Sequence, residues 1–161
     1  HSLGSSVRIV RAMPNTPAMV GEGMTGLSWS DDDFSESERT ELMQFFTSFG
    51  KAETVPENLM DAVTAASGSS PAFIYMMIEA LADGVVKYGM PRDKAYTFVS
   101  QAVLGSAKMV LETGEHPGLL KDNVCSPGGT TIAAVAELEA SGFRSSLIKA
   151  ASAVCDRCRN T

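Results

Sequence analysis

The sequence predicts an α+β chain, mostly helical, in which a few strands come first and a long helical part follows. Three observations carry this. Two short runs of strand character, Val7–Met13 and Met24–Ser30, flank the turn Pro14-Asn15-Thr16-Pro17, whose prolines fix φ and remove backbone donors. After Pro56, apolar residues recur at helical spacing almost to the end of the chain. Those helical stretches are punctuated by Pro at their starts and Gly at their ends. The change at Pro56 divides the chain into residues 1–56 and 57–161.

In the first segment Ser35 and Glu38 have the spacing of a capping box. The helix they open sets Leu42, Phe45, Phe46 and Phe49 on one face and stops at Gly50. Lys51–Val55 reads as a third strand. In the second segment Leu59–Ala66 is helical, and Ser67–Ser70 end that helix and cap the next, which Ser70-Pro71 opens and Gly89 closes after Tyr88. Pro91 opens a helix to about Thr113, and a short one over Leu119–Val124 leads into the turn Cys125–Gly129. A helix over Ile132–Ser141 and a final one, broken at Gly142, complete the chain.

The helix from Pro71 to Tyr88 carries Phe73, Ile74, Met77, Ile78, Leu81 and Val85 around much of its circumference, so it must be enclosed on several sides. The small residues Ala80, Ala82, Gly84, Ala102, Gly105 and Ser106 let helices approach closely but give each little bulk of its own to bury against. A second copy of the chain is expected to supply the cover, making a homodimer.

With 161 residues and 44% apolar content, the chain is long enough for a real core, a domain of this size burying roughly 70% of its unfolded surface. A net charge of −6 without a run of Lys or Arg argues against nucleic acid and membrane surfaces, since phosphate binding needs clustered cations. The most apolar stretch, near Pro71–Val86, is interrupted by Glu79 and Asp83 and is too polar to span a bilayer. Three cysteines, Cys125, Cys155 and Cys158, are too few for a disulfide scaffold and point to a reducing compartment, the cytoplasm. The opening His1-Ser2-Leu3-Gly4-Ser5-Ser6 lacks Met and reads as a scar or as the interior of a longer chain.

The chemistry concentrates at Cys125-Ser126-Pro127-Gly128-Gly129-Thr130-Thr131, where a hydroxyl- and glycine-rich turn opens a helix. The first N–H groups of a helix lack intrahelical acceptors and carry the positive end of its dipole, and the glycines let a ligand approach the backbone. No Lys or Arg lies between Asn123 and Ala140, so the neutral donors suit a small carboxylate better than a nucleotide phosphate. The same residues also suit an ordinary capped helix start. A second hydroxyl-rich junction, Thr64–Pro71, allows Thr64 to present its hydroxyl to a cleft. Other motifs carry less. Gly21-Glu22-Gly23-Met24-Thr25-Gly26 matches a dinucleotide fingerprint but leads into strand-like residues rather than a helix. Cys155-x-x-Cys158 lies late in a helix without further ligands, and with only His1 and His116 present, no metal site and no Ser-His-Asp catalysis is expected.

Several of these segments, in this order and spacing, resemble pyrroline-5-carboxylate reductase: Met13-Pro14-Asn15-Thr16-Pro17, Asp61-Ala62-Val63-Thr64 with Ser67-Gly68-Ser69-Ser70-Pro71-Ala72, His116-Pro117-Gly118, Lys121-Asp122-Asn123-Val124, Cys125–Ile132 and Gly142-Phe143-Arg144. The resemblance runs from Val7 nearly to the end. It implies that residues 1–56 are the last strands of a Rossmann-type dinucleotide-binding domain whose first half is absent, and that 57–161 form a helical dimerisation and substrate-binding domain. It further implies reduction of the C=N bond of 1-pyrroline-5-carboxylate to L-proline by NADPH or NADH, in a homodimer or a higher oligomer such as a decamer. Ser126, Gly129, Thr130 and Thr131 would hold the substrate carboxylate, and Thr64 would stand beside the ring nitrogen as the catalytic hydroxyl. Met13, Pro14 and Asn15 would lie near the nicotinamide, and Asn123 would reach the cofactor. In this family the helical domains interlace, so each pocket is expected to combine residues of two subunits. Two other readings stand beside this one. A β-hydroxyacid-type dehydrogenase would need a catalytic lysine, and Lys87, Lys94 and Lys108 stand in no accompanying motif. The chain alone, lacking a dinucleotide-binding half, is expected to act as an oligomerisation and carboxylate-binding module without turnover.

Overall fold

Pro14 and Pro17 do more than turn the chain. In the computed structural model, which describes residues 7–30 and 33–160, Pro14 precedes and Pro17 opens a 3₁₀ turn, Thr16–Val20, between strands β1 (Arg11–Met13) and β2 (Gly23–Ser28). β1 pairs antiparallel with β2, from Arg11 opposite Ser28 to Met13 opposite Gly26. β3 (Gly50–Thr54) runs parallel to β2 on its other side, giving the order β1-β2-β3. The crossover between the parallel strands is helix α1 (Glu36–Thr47). Its capping box forms as expected: Ser35 Oγ accepts from the Glu38 N–H, and the Glu38 carboxylate accepts from the Ser35 N–H at 2.9 Å.

The first strand is shorter than its apolar run. Arg11 already pairs with the last residue of β2, Ser28, so residues 7–10 have no β2 residue left to join. The motif Gly21–Gly26 enters β2, as its context predicts: Gly21 takes the left-handed turn at φ 77°, and Gly23 and Gly26 serve close packing. A Cβ on Gly26 would stand 2.5 Å from Val63 Cγ1, so this bare position is what lets helix α2 (Met60–Val63) lie on the sheet. Leu27 of β2 and Met60 of α2 are both fully buried, and Ala52 and Ala65 are buried as well.

Beyond α2 the helix does not simply end. Residues Thr64–Gly68 form a π-helical turn, with the Ser69 N–H donating to the Thr64 carbonyl at 2.8 Å, before α3 (Ser70–Val86) begins. The hydroxyls of Ser67 and Ser70 donate back to the carbonyls of Val63 and Ala66, four residues earlier, instead of capping α3. The expectation of a helix end followed by a serine cap is thereby corrected. Helices α4 (Arg92–Thr113), α5 (Pro117–Val124), α6 (Thr130–Ala140) and α7 (Phe143–Arg159) follow. The α+β, mostly helical class read from the sequence is the one observed.

Contacts group the chain into two units, residues 1–72 with 149–161, and residues 73–148. In the first, the end of α7 lies against α2, where Cys155 Sγ approaches the Asp61 carbonyl at 3.8 Å. In the second, α3 and α4 form an apolar groove of about 450 Å³ lined by Met77, Leu81, Val85, Val99, Ala102 and Val103, with Ser106 at its edge. Tyr75, Met76, Phe98, Leu104 and Leu111 of the same helices are more than half exposed.

Candidate functional site

The hydroxyl-rich turn is built as an open helix start. Helix α5 closes with the Cys125 N–H on the Asp122 carbonyl, and the chain then turns through Ser126–Gly129, the Gly129 N–H donating to the Ser126 carbonyl at 3.0 Å. Gly128 takes φ 69°, the left-handed region that glycine adopts without strain. Gly129 is the N-cap of α6, so no N-cap side chain accepts from the first-turn N–H groups. An ordinary capped start would place a Ser, Thr or Asp there. Ser126 Oγ stands directly over the Gly129 Cα, in the space a Cβ would take. The Ser126 hydroxyl, the Thr130 and Thr131 side chains and the bare N–H groups of α6 thus share one helix end, with Thr131 half-buried and Thr130 exposed. Neutral donors at the positive end of an eleven-residue helix favour a single negative charge. Asn123 lies exposed on the preceding helix. Next to it Lys121 and Asp122 form an ion pair at 2.6 Å, which holds the Lys121 ammonium pKa above its ordinary value.

The other expected residues gather in the first unit. Met13 ends β1, and a Cβ on Gly68 would lie 3.6 Å from its sulfur, so the strand end and the π turn touch. Pro14 is exposed and Asn15 half-buried. Asn15 Oδ1 accepts from the Met24 N–H at 2.9 Å, and Nδ2 donates to the Ser67 carbonyl at 3.1 Å. Thr64, half-buried, donates its hydroxyl hydrogen to the Met60 carbonyl at 3.0 Å, which leaves the oxygen's lone pairs to accept from a ligand N–H. Met13, Pro14, Asn15 and Thr64 thus belong to one unit, and Asn123, Ser126, Gly129, Thr130 and Thr131 to the other.

The Thr64–Pro71 junction was expected, but the bond that ties its Ser67 carbonyl to Asn15 was not. The signal was present, since a proline four residues after Ser67 cannot donate to that carbonyl. His116 is the N-cap of α5, and its Nδ1 accepts from the Gly118 N–H at 3.0 Å. Among the described residues no three His, Cys, Asp or Glu side chains come together as a metal would require. Among them, too, no helix is long and apolar enough to cross a membrane.

A family model described as pyrroline-5-carboxylate reductase dimerisation matches residues 57–161. The pyrroline-5-carboxylate reductase of Escherichia coli (strain K12) is 53% identical over 150 residues, which is 93% of this chain and 55% of that protein. The one from Glycine max is 49% identical over 152 residues, 94% of this chain and 55% of the relative. The chain therefore spans about half the length of the curated relatives it matches. Among solved structures, a pyrroline-5-carboxylate reductase from Coxiella burnetii superposes with a TM-score of 0.91 at 36% identity, over 98% of this chain and 58% of the other. The Plasmodium falciparum pyrroline carboxylate reductase, crystallised with NADP bound, gives 0.89 at 35% identity, over 96% and 62%. On the dimerisation model and on relatives about half identical across nearly its whole length, this chain belongs to the pyrroline-5-carboxylate reductase family.

Proposed function

We propose that this chain is the substrate-binding and dimerisation part of an enzyme that reduces 1-pyrroline-5-carboxylate to L-proline with NADPH or NADH, acting in the cytoplasm as a homodimer or a larger assembly such as a decamer. The observation that carries the reading is the start of α6. It is a helix N-terminus without an N-cap side chain, with Ser126 Oγ seated over Gly129, in a chain 53% identical to the E. coli reductase. Residues 57–161 form the substrate-binding and dimerisation domain and residues 1–56 belong with the dinucleotide-binding domain.

Each residue then has a stated task. The N–H groups of Thr130 and Thr131 and the hydroxyls of Ser126, Thr130 and Thr131 hold the carboxylate, which the bare Gly129 lets approach the backbone, and so fix the ring of a small substrate by its charged end. Thr64 accepts a hydrogen bond from the protonated ring nitrogen, its own hydrogen being engaged by the Met60 carbonyl. A C=N carbon beside a protonated nitrogen is the better hydride acceptor, and the nitrogen's proton stays in the product amine. Met13 and Pro14 offer a thioether and a rigid ring with no charge, which fits the nicotinamide end of a dinucleotide and not its phosphates. Asn123, exposed on α5, offers an amide for the cofactor's polar groups. When bound, the reduced nicotinamide supplies the hydride.

The length relation favours a second statement about the chain by itself: alone it is an oligomerisation and carboxylate-binding module. Following NADPH oxidation with 1-pyrroline-5-carboxylate tests both. The full-length polypeptide carrying this chain is expected to oxidise NADPH and the 161-residue chain is not. A folded full-length polypeptide inactive with NADPH and with NADH would remove the reductase assignment.

A further inference from the structure

The π-helical turn poses a question that the reaction alone does not answer, namely what holds it open. In an α-helix the Ser67 carbonyl would accept from the N–H of residue 71, but that residue is Pro71 and has none. The next N–H, of Ala72, donates to the Ser69 carbonyl at 3.1 Å. The Ser67 carbonyl, half-buried, is met by the Asn15 side chain, whose Nδ2 donates to it at 3.1 Å. The other end of the same amide accepts from the Met24 N–H at 2.9 Å, where β2 begins. Each end faces a partner of the opposite kind, an N–H and a carbonyl, so the orientation of the amide is fixed by its surroundings. The contact between Gly68 and Met13 lies beside it.

We propose that Asn15 is a positioning residue that replaces the donor missing at Pro71, and so locks the turn carrying Thr64 against the end of β1. This rests on the proposed reduction, in which Thr64 meets the ring nitrogen. Without the Asn15 bond the Ser67 carbonyl has no donor, since Pro71 still offers none, and the turn loses its tie to β2, so the Thr64 hydroxyl is no longer held in one place. Asn15 thereby acts on turnover through Thr64, and its side chain is not the feature that sets affinity for the cofactor.

The test uses the full-length polypeptide with Asn15→Ala, Pro71→Ala and the double variant. Pro71→Ala returns an N–H to residue 71 and so offers the Ser67 carbonyl a partner that does not depend on Asn15. Asn15→Ala is expected to lower kcat by ~10- to 100-fold, the scale of a slightly misplaced reacting group, with KM for NADPH within about threefold of wild type. Adding Pro71→Ala is expected to restore at least part of kcat. If Asn15→Ala raises KM for NADPH and leaves kcat intact, or if the second substitution restores nothing, the positioning role is overturned. Should Asn15→Ala fail to fold, Asn15→Asp keeps the acceptor for Met24 and sets a carboxylate oxygen, which cannot donate, against the Ser67 carbonyl, so it is expected to lower kcat and speed exchange at least as much. Amide hydrogen exchange over residues 64–72 separates this from the function itself. An inactive wild type would remove the proposed reaction, and the role in turnover with it, whereas faster exchange in Asn15→Ala, slowed again by Pro71→Ala, would still show the lock. Unchanged exchange would overturn the lock whatever the activity.

Discussion

At Gly129 one added methyl group separates binding from stability. A Cβ there would displace Ser126 Oγ and sit 3.1 Å from the Ser126 carbonyl, and the hydroxyl can rotate away while the backbone stays. Gly129→Ala is therefore expected to raise KM for pyrroline-5-carboxylate by ~10-fold, about the loss of one charge-assisted hydrogen bond, with little change in Tm. Equal loss of Tm and affinity in a melt and a kinetic assay would contradict it. Gly26→Ala is expected to do the reverse. Its Cβ meets the β-branched Val63, which is stiff at χ1 and cannot swing aside, so α2 must shift, at a destabilisation of about 1–3 kcal/mol. Combining it with Val63→Ala should recover part of that loss in a denaturant titration.

Among the elements, those fixed by neighbours in sequence were readable and those fixed by distant partners were not. Ser35 and Glu38 are three residues apart, and their capping box forms as their spacing requires. The turn chemistry of Ser126–Gly129 and the break at Gly142, which takes φ 76°, are equally local. The π turn is not local, because the donor that satisfies Ser67 comes from Asn15, 52 residues earlier. Strand β1 is short for a similar reason, since its length is set by where β2 ends and not by its own apolar run. The capping box also carries a pH dependence. The Ser35 backbone N–H, then Arg8, hold the Glu38 carboxyl down at about 2, below its ordinary 4.5. A depressed carboxyl stabilises the fold above its unfolded pKa, and that contribution is lost as pH falls. The Tm difference between wild type and Glu38→Gln is thus expected to shrink between pH 4.5 and about 2, and to be smaller throughout in high salt because the group is at the surface. A difference that grows on acidification would contradict the assignment.

For the whole molecule, the apolar surface of α3 and α4 is the face on which a second copy is expected to pack. A groove of about 450 Å³ beside exposed Tyr75, Met76, Phe98 and Leu111 is more than a solitary soluble domain usually leaves open, and the family model for these helices is one of dimerisation. A charge in the groove, Leu81→Glu, is expected to shift the solution mass toward the monomer in sedimentation, and a wild type that sediments as a stable monomer would remove the dimer. The sequence announced this surface through helices too apolar to stand alone; it could not announce how two copies meet. The most direct measurement is the steady-state kinetics of Thr131→Val in the full-length polypeptide, since valine keeps the shape of threonine and removes only the hydroxyl offered to the carboxylate. A rise of ~10-fold or more in KM for pyrroline-5-carboxylate, with KM for NADPH unchanged, is the expected result. An unchanged KM for pyrroline-5-carboxylate would mean that the start of α6 does not hold the substrate.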